Sequence, residues 1–194
     1  MQPLHFAAAV KAAPREDAES RTPRPVSGIE KPILVIGDSN FTRFPFSNAP
    51  WANIARGGLR FDRAAKLAHD TQLRPERVKA VVIGLGINET RVPNEELLQR
   101  QMRDLKTTIE SVYPGTPIFH VQAPAEKFEG ERCERGKLAN KLAREVFKHL
   151  TVKPQVIGTN DPHYTDRERR DLAKLVLSFL RKQVPELARL SGKQ

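Results

Sequence analysis

The chain has 194 residues, of which 39% are hydrophobic and 29% charged. That length supports one domain with a real core but leaves too little interior for two, and the composition fits a folded globular protein rather than a fibre or a disordered chain. The net charge of +10 points to nucleic acid or an anionic membrane as partner classes for a basic surface, and is silent on fold.

Residues 1–31 carry five basic and four acidic side chains, so the excess lies in the remainder of the chain, with 28 basic and 19 acidic. Most of it falls in Lys127–Lys153 and Arg167–Lys193, where acidic and basic residues interleave at helical spacing, the pattern of a solvated helix face. The apolar runs Ala80–Ile83 and Leu175–Leu177 are far below the roughly 20 residues that cross a bilayer. Met1–Ala13 is an Ala-rich segment broken by His5 and Lys11, without the layout of a secretory signal. Cys133 is the only cysteine, so no internal disulfide forms. It sits among Glu131, Arg132, Glu134 and Arg135, which suggests a surface thiol and a reducing, intracellular setting, the cytoplasm being the simplest.

Residues 1–30 are punctuated by Pro14, Pro23, Pro25, Ser27 and Gly28 and read as a linker or tail, one that would tether the domain to something upstream. The domain is expected over 31–184, with a short tail over 185–194. From Pro32 short apolar runs alternate with amphipathic stretches, the signature of strands joined by crossover helices in a parallel sheet. Strands are expected at Ile33–Ile36, Trp51–Ala55, Val78–Leu85, Pro117–Val121 and Gln155–Gly158. The fold class is therefore α/β, a three-layer sandwich around a mostly parallel five-stranded sheet of the flavodoxin-like kind.

Helices are expected around Phe61–Ala68 and after Asn94, which can cap a helix whose Glu95 and Glu96 complement its positive end. Leu98, Met102, Leu105, Ile109 and Val112 then form one stripe. Ala123–Gly136 has no clear period and reads as a charged loop. Leu138, Leu142, Val146 and Leu150 mark the next helix, and Leu172, Leu175, Val176, Phe179 and Leu180 the apolar face of the last.

Ligand sites of open parallel sheets lie beyond the carboxyl ends of the strands. Four segments in such places carry suggestive chemistry. Gly37-Asp38-Ser39-Asn40 follows the first strand, where glycine permits a sharp turn and Ser39 presents a hydroxyl and a backbone amide. Gly57 and Gly58 follow the second and let a backbone amide approach a substrate. Gly84-Leu85-Gly86-Ile87-Asn88 follows the third and offers a side-chain amide at Asn88. Asn160, Asp161 and His163 follow the last, supplying a base and its orienter. Each alone has a plain structural explanation, as a Ser-capped turn, a loop, a helix cap or a packing histidine. A nucleophile, oxyanion donors and a base in order at successive strand ends are much harder to obtain by accident.

These segments resemble the Ser, Gly, Asn and His blocks of the GDSL, or SGNH, hydrolase superfamily, over residues 32–182. The resemblance implies a serine esterase or deacylase. Ile33 to Asn40 is similar to the first block and carries Ser39 as nucleophile and first oxyanion donor. Ala55 to Phe61 is similar to the second, with Phe61 making Gly58 the better match for the second donor and Gly57 the alternative. Val81 to Glu89 is similar to the third, with Asn88 as third donor. Asp161-Pro162-His163-Tyr164-Thr165 is similar to the last, with His163 as base. The wording of the blocks most resembles the esterase domains in the first open reading frame protein of some vertebrate retrotransposons.

One position departs from the pattern. The family places Asp three residues before its histidine, where this chain has Asn160, while Asp161 stands two before. An Asn can hold an imidazole but cannot offset imidazolium charge, and an Asp-to-Asn change in one serine protease triad costs about ten-thousand-fold in turnover. Either the loop shifts so that Asp161 serves, or the site is a weak dyad, or the domain has lost activity; a loop shift or local adjustment is the favoured expectation.

The implied chemistry is acyl transfer through Ser39, on a small-molecule or lipid ester, without metal or cofactor. Substrate choice would fall to the loops Asn40–Pro50 and Ala123–Gly136, whose modest apolar content favours short acyl groups such as acetyl. The competing reading is a module of the same fold that has lost activity and binds RNA, DNA or anionic membrane through its basic surface. A dinucleotide loop at Gly84-Leu85-Gly86 fails because Glu89 stands where the third glycine belongs. His5, His69, His120 and His149 show no metal-ligand spacing and read as surface or packing residues.

Overall fold

The computed structural model describes residues 32–43, 51–71, 73–89, 94–147 and 163–188. Strand β1 (Ile33–Gly37) is flanked by β2 (Trp51–Asn53) and β3 (Ala80–Gly84), and β4 (Ile118–His120) adds to β3, so the order is β2-β1-β3-β4. All three pairings are parallel, with Ile33 opposite both Trp51 and Ala80 and Val81 opposite Ile118. Among the described residues the sheet thus has four strands where the sequence suggests five. The expected strand at Gln155–Gly158 lies outside the described residues.

Period-two alternation assigns each strand residue to one face. Leu34, Ile36, Val81, Ile83 and Ile118 point to one core, shared with α1 (Phe61–His69), α2 (Glu95–Val112) and α3 (Gly130–Phe147). Ile33, Val35, Ala80, Val82 and Phe119 point to the other, closed by α4 (Asp166–Gln183) and the short α5 (Pro185–Ala188), which buries Leu187. Helices on both faces make this the three-layer α/β sandwich expected from the apolar β1 and β3 runs. Every residue of both strands is buried, and each large aliphatic side chain so placed contributes about 1.5–3 kcal/mol. No helix of the described residues is long and apolar enough to cross a membrane.

The helix ends follow their capping chemistry. The Asn94 side chain accepts from the Leu97 amide at 2.7 Å. Thr165 and Glu168 form a reciprocal capping box at the start of α4. Two expectations need correction. Ala123–Gly136 is not one loop: it holds a 3-10 turn at Ala125–Lys127, and α3 already begins at Gly130. The first turns of α3 lack an apolar stripe because charge pairs span them, Lys137 with Glu134 at 2.8 Å and Arg135 with Glu131 at 4.0 Å. Leu175, assigned to the apolar face of α4, is 47% exposed. It follows Lys174 on the solvent side, one position off the Leu172–Val176–Leu180 stripe.

Close packing at the end of the sheet rests on two glycines. A Cβ on Gly37 would lie 2.7 Å from Phe41 Cγ, and one on Gly84 would collide with the Phe41 ring. The ring fills the space that side chains at the ends of β1 and β3 would need. Gly84→Ala is therefore expected to lower unfolding stability in urea by about 1–3 kcal/mol through overpacking. Gly57→Ala, whose Cβ meets nothing within 4 Å, should stay within about 0.5 kcal/mol of the parent. Equal effects would contradict this packing.

Candidate active site

The site grows from the way the chain leaves β1. Gly37 ends the strand, and residues 39–43 form a turn in which the Phe41 amide donates to the Asp38 carbonyl at 3.0 Å. Ser39 sits in this turn, half-buried. Strand neighbours fix the turn from both sides. The Asp38 amide donates to the Gly84 carbonyl at 3.0 Å, and the Arg56 amide donates to the Gly37 carbonyl at 2.9 Å. Asn53 adds a third tie, donating through Nδ2 to the Phe41 carbonyl and accepting from the Ala55 amide, each at 2.9 Å.

Two of these ties lead directly to the other candidate residues. Arg56 enters the turn holding Gly57 and Gly58, both exposed, with Gly58 at φ 70°, where only glycine sits without strain. Gly84 leads through Leu85 and Gly86 to the half-buried Asn88, whose Nδ2 donates to the Leu59 carbonyl at 3.2 Å. Glu89 fastens the same two loops again, its Oε1 accepting from the Phe61 amide at 3.0 Å. The glycine turn and Asn88 are thereby brought together across 29 residues of sequence.

His163 joins from the far end of the chain. Asn40 Oδ1 accepts from the Tyr164 amide at 2.9 Å, a bond between the residue after Ser39 and the residue after His163, spanning 124 positions. The His163 carbonyl accepts from Lys127 Nζ at 3.0 Å, while the residue as a whole is exposed. Ser39, the glycine turn, Asn88 and His163 thus gather at the carboxyl edge of the sheet. Asn160 and Asp161 lie outside the described residues.

Burial sets the electrostatics of this edge. The Asp38 carboxyl is pushed up to about 7 by desolvation, against the pull of the Asn40 and Ile87 backbone amides. Its Oδ1 accepts from the Asn40 amide at 2.9 Å and so braces the turn from within. Glu89 is likewise pushed up to about 7 by burial, against the pull of the Phe61 amide and of Arg60. His120 is held down to about 4 by burial. It is a packing histidine, its ring stacked against Phe61 and Phe147 and its Nε2 donating to the Leu85 carbonyl at 3.1 Å. Among the described residues no group of three or more His, Cys, Asp or Glu side chains is placed to hold a metal ion.

Sequence reasoning passed over the polar residues that brace the site. Asp38 and Asn40 stand on either side of Ser39, and their place in the turn was the available signal. Thr165-Asp166-Arg167-Glu168 carries the spacing of a capping box. Lys127 had no local signal, because its partners lie 36 and 41 residues away.

The raised carboxyls have a consequence for stability. Each holds its proton more tightly in the folded chain than in the unfolded one, so the stability it allows at low pH is lost as pH rises from about 4 through about 7. Asp38→Asn keeps an oxygen for the Asn40 amide but does not titrate. In urea unfolding between about pH 5 and pH 8, the variant should gain stability relative to the parent as pH rises. A pH-independent difference would contradict the burial of a protonated Asp38.

No protein-family model matches the sequence, and no curated protein does either. Solved structures do match. A GDSL-like lipase from Bacteroides thetaiotaomicron superposes with a TM-score of 0.62 at 15% identity, over 80% of this chain and 90% of its own. The psychrotrophic esterase EstA from Pseudoalteromonas sp., in a structure inhibited by monoethylphosphonate, gives 0.57 at 12% identity over 78% and 97%. TesA gives 0.55 at 15% identity over 76% and 97%. With its parallel sheet covered by helices on both faces, this chain has the fold of the GDSL/SGNH hydrolases.

Proposed function

We propose that the chain is a serine ester hydrolase that works through an acyl-enzyme on Ser39. The observation that carries this reading is the Asn40–Tyr164 hydrogen bond, which fastens the segments bearing Ser39 and His163 to each other at the edge of the sheet where ligands of such folds bind. A binding module would need neither the serine nor the histidine there.

In the proposed reaction His163 accepts the Ser39 hydroxyl proton as Oγ attacks the carbonyl carbon of an ester or thioester. The carbonyl π bond opens onto oxygen. The resulting oxyanion is held by the Ser39 and Gly58 backbone amides and by the Asn88 side chain. Asn88 Nδ2 already donates one hydrogen to Leu59, which orients the amide and leaves its second hydrogen for the oxyanion. Collapse breaks the bond to the leaving group, which takes the proton from His163. Water then gives a proton to His163 as it attacks the acyl carbon, and collapse breaks the acyl–Oγ bond, Ser39 Oγ taking the proton back from His163 as the carboxylic acid leaves. Donors of this kind are each worth roughly a hundredfold or more in turnover.

Short acyl groups, acetyl first, are the proposed substrates. The EstA structure inhibited by monoethylphosphonate supports a phosphonate as a probe of the nucleophile in this chain as well.

The test is hydrolysis of short-chain nitrophenyl esters by the purified protein beside Ser39→Ala and His163→Ala, each checked for folding by circular dichroism. Both variants should lose about a thousandfold or more in kcat. Turnover that survives Ser39→Ala would sink the proposal, and a protein with no serine-dependent turnover would favour the nucleic-acid or membrane-binding reading. For the orienting group, Asp161→Ala is expected to lower kcat by about a hundredfold or more, with Asn160→Asp changing it little. A large gain from Asn160→Asp would instead assign the role to position 160.

A further inference from the structure

We propose that Lys127 is a positioning residue for His163, acting through a buried ion pair with Glu168; the proposal rests on the esterase reading of Ser39 and His163. Lys127 Nζ lies 2.9 Å from Glu168 Oε2 and 3.0 Å from the His163 carbonyl oxygen, and 5.5 Å from the centroid of the Tyr164 ring. The side chains of the pair are 0% and 1% exposed. The same Glu168 oxygen accepts from the Thr165 amide at 2.7 Å, and Thr165 Oγ1 accepts from the Glu168 amide at 3.2 Å.

Three consecutive residues are thus fixed by three separate bonds: the His163 carbonyl by Lys127, the Tyr164 amide by Asn40 and the Thr165 amide by Glu168. The backbone carrying the histidine is held by α4 on one side and by the nucleophile turn on the other. Two of these three bonds depend on the Lys127–Glu168 pair or on its carboxylate. Tyr164 is buried in the core beneath them, so the segment has little room to shift while the pair is intact.

Lys127 reaches this place because the 3-10 turn Ala125–Lys127 lies directly on α3. A Cβ on Gly136 would come within 3.0 Å of Ala125 Cβ, so the small residue at 136 lets the turn seat deeply enough for the lysine to reach the histidine segment. The turn follows β4, as the nucleophile turn follows β1, and both therefore sit at the same edge of the sheet.

A desolvated ion pair is a poor device for stability alone, since an apolar pair of similar volume often does as well or better. What it adds is direction. A lysine that must satisfy both a carboxylate and a carbonyl fixes the separation between them. A misplacement of about 1 Å in a reacting group can cost on the order of a hundredfold in rate, which is the scale of advantage such a clamp can provide.

The experiment compares the parent with Lys127→Met combined with Glu168→Leu, a double variant that removes both charges of the buried pair together. Thermal melting and circular dichroism report the fold, and nitrophenyl acetate hydrolysis reports kcat and KM separately. The expected result is a folded double variant with kcat lowered about 10- to 100-fold and KM within about twofold of the parent. A folded double variant with kcat within about twofold would overturn the positioning role and leave the esterase reading intact. A parent without Ser39-dependent turnover would overturn both. If the double variant fails to fold, Lys127→Arg carries the comparison: it keeps the charge near Glu168 but replaces the compact ammonium with a planar fork. The same drop in kcat at unchanged KM is then expected, and an undiminished kcat overturns the proposal.

Discussion

Everything at the candidate site depends on how the chain leaves the central strand. Gly37 and Gly84 end neighbouring parallel strands without side chains, and the Phe41 ring occupies the space so left. That contact turns the chain sharply enough to present Ser39 at the edge of the sheet while Asp38 stays buried beneath it. The bonds from Asp38 to Gly84 and from Arg56 to Gly37 then carry the geometry of one strand end to the next two. A bulkier residue at either glycine would disturb packing and site together, because one aromatic ring serves both.

A second constraint is the concentration of buried polar groups around this edge. Asp38, Asn40, Glu89 and Glu168 are all buried, and each accepts a hydrogen bond from a backbone amide on the loops that meet there. Burying such groups is costly unless they are paired. The pairing in turn demands that loops from distant parts of the sequence arrive in one arrangement. Phe61 to Glu89, Asn40 to Tyr164 and Lys127 to Glu168 are bonds of this kind, and together they convert a set of exposed turns into a site of defined shape.

Much of the fold was legible from periodicity. The buried runs at Ile33–Gly37 and Ala80–Gly84, the stripe of α2 and the Asn94 cap all appear where residue chemistry places them. The start of α3 was not legible, because the pairs Glu131–Arg135 and Glu134–Lys137 span its first turns in place of an apolar face. Leu175 was misassigned because a run of three aliphatic residues blurs the helical period at its edge. The candidate residues Ser39, Gly58 and Asn88 follow β1, β2 and β3 in the order the sequence suggests, while the strand expected before His163 lies outside the described residues. The braces of the site could not be read in advance, since the Lys127–Glu168 and Asn40–Tyr164 contacts join residues 41 and 124 positions apart, and separations of that kind leave no periodic trace in a single sequence.

The central claim is that Ser39 is a nucleophile activated by His163. Its most direct test is mass spectrometry of the protein after treatment with an activated alkyl phosphonate ester, which adds a stable phosphonyl group to a nucleophilic serine and releases its leaving group. The account predicts one adduct, on the peptide containing Ser39, absent from Ser39→Ala and formed about a hundredfold or more slowly in His163→Ala. An adduct at another residue, or none under conditions that label a known serine esterase, would contradict it.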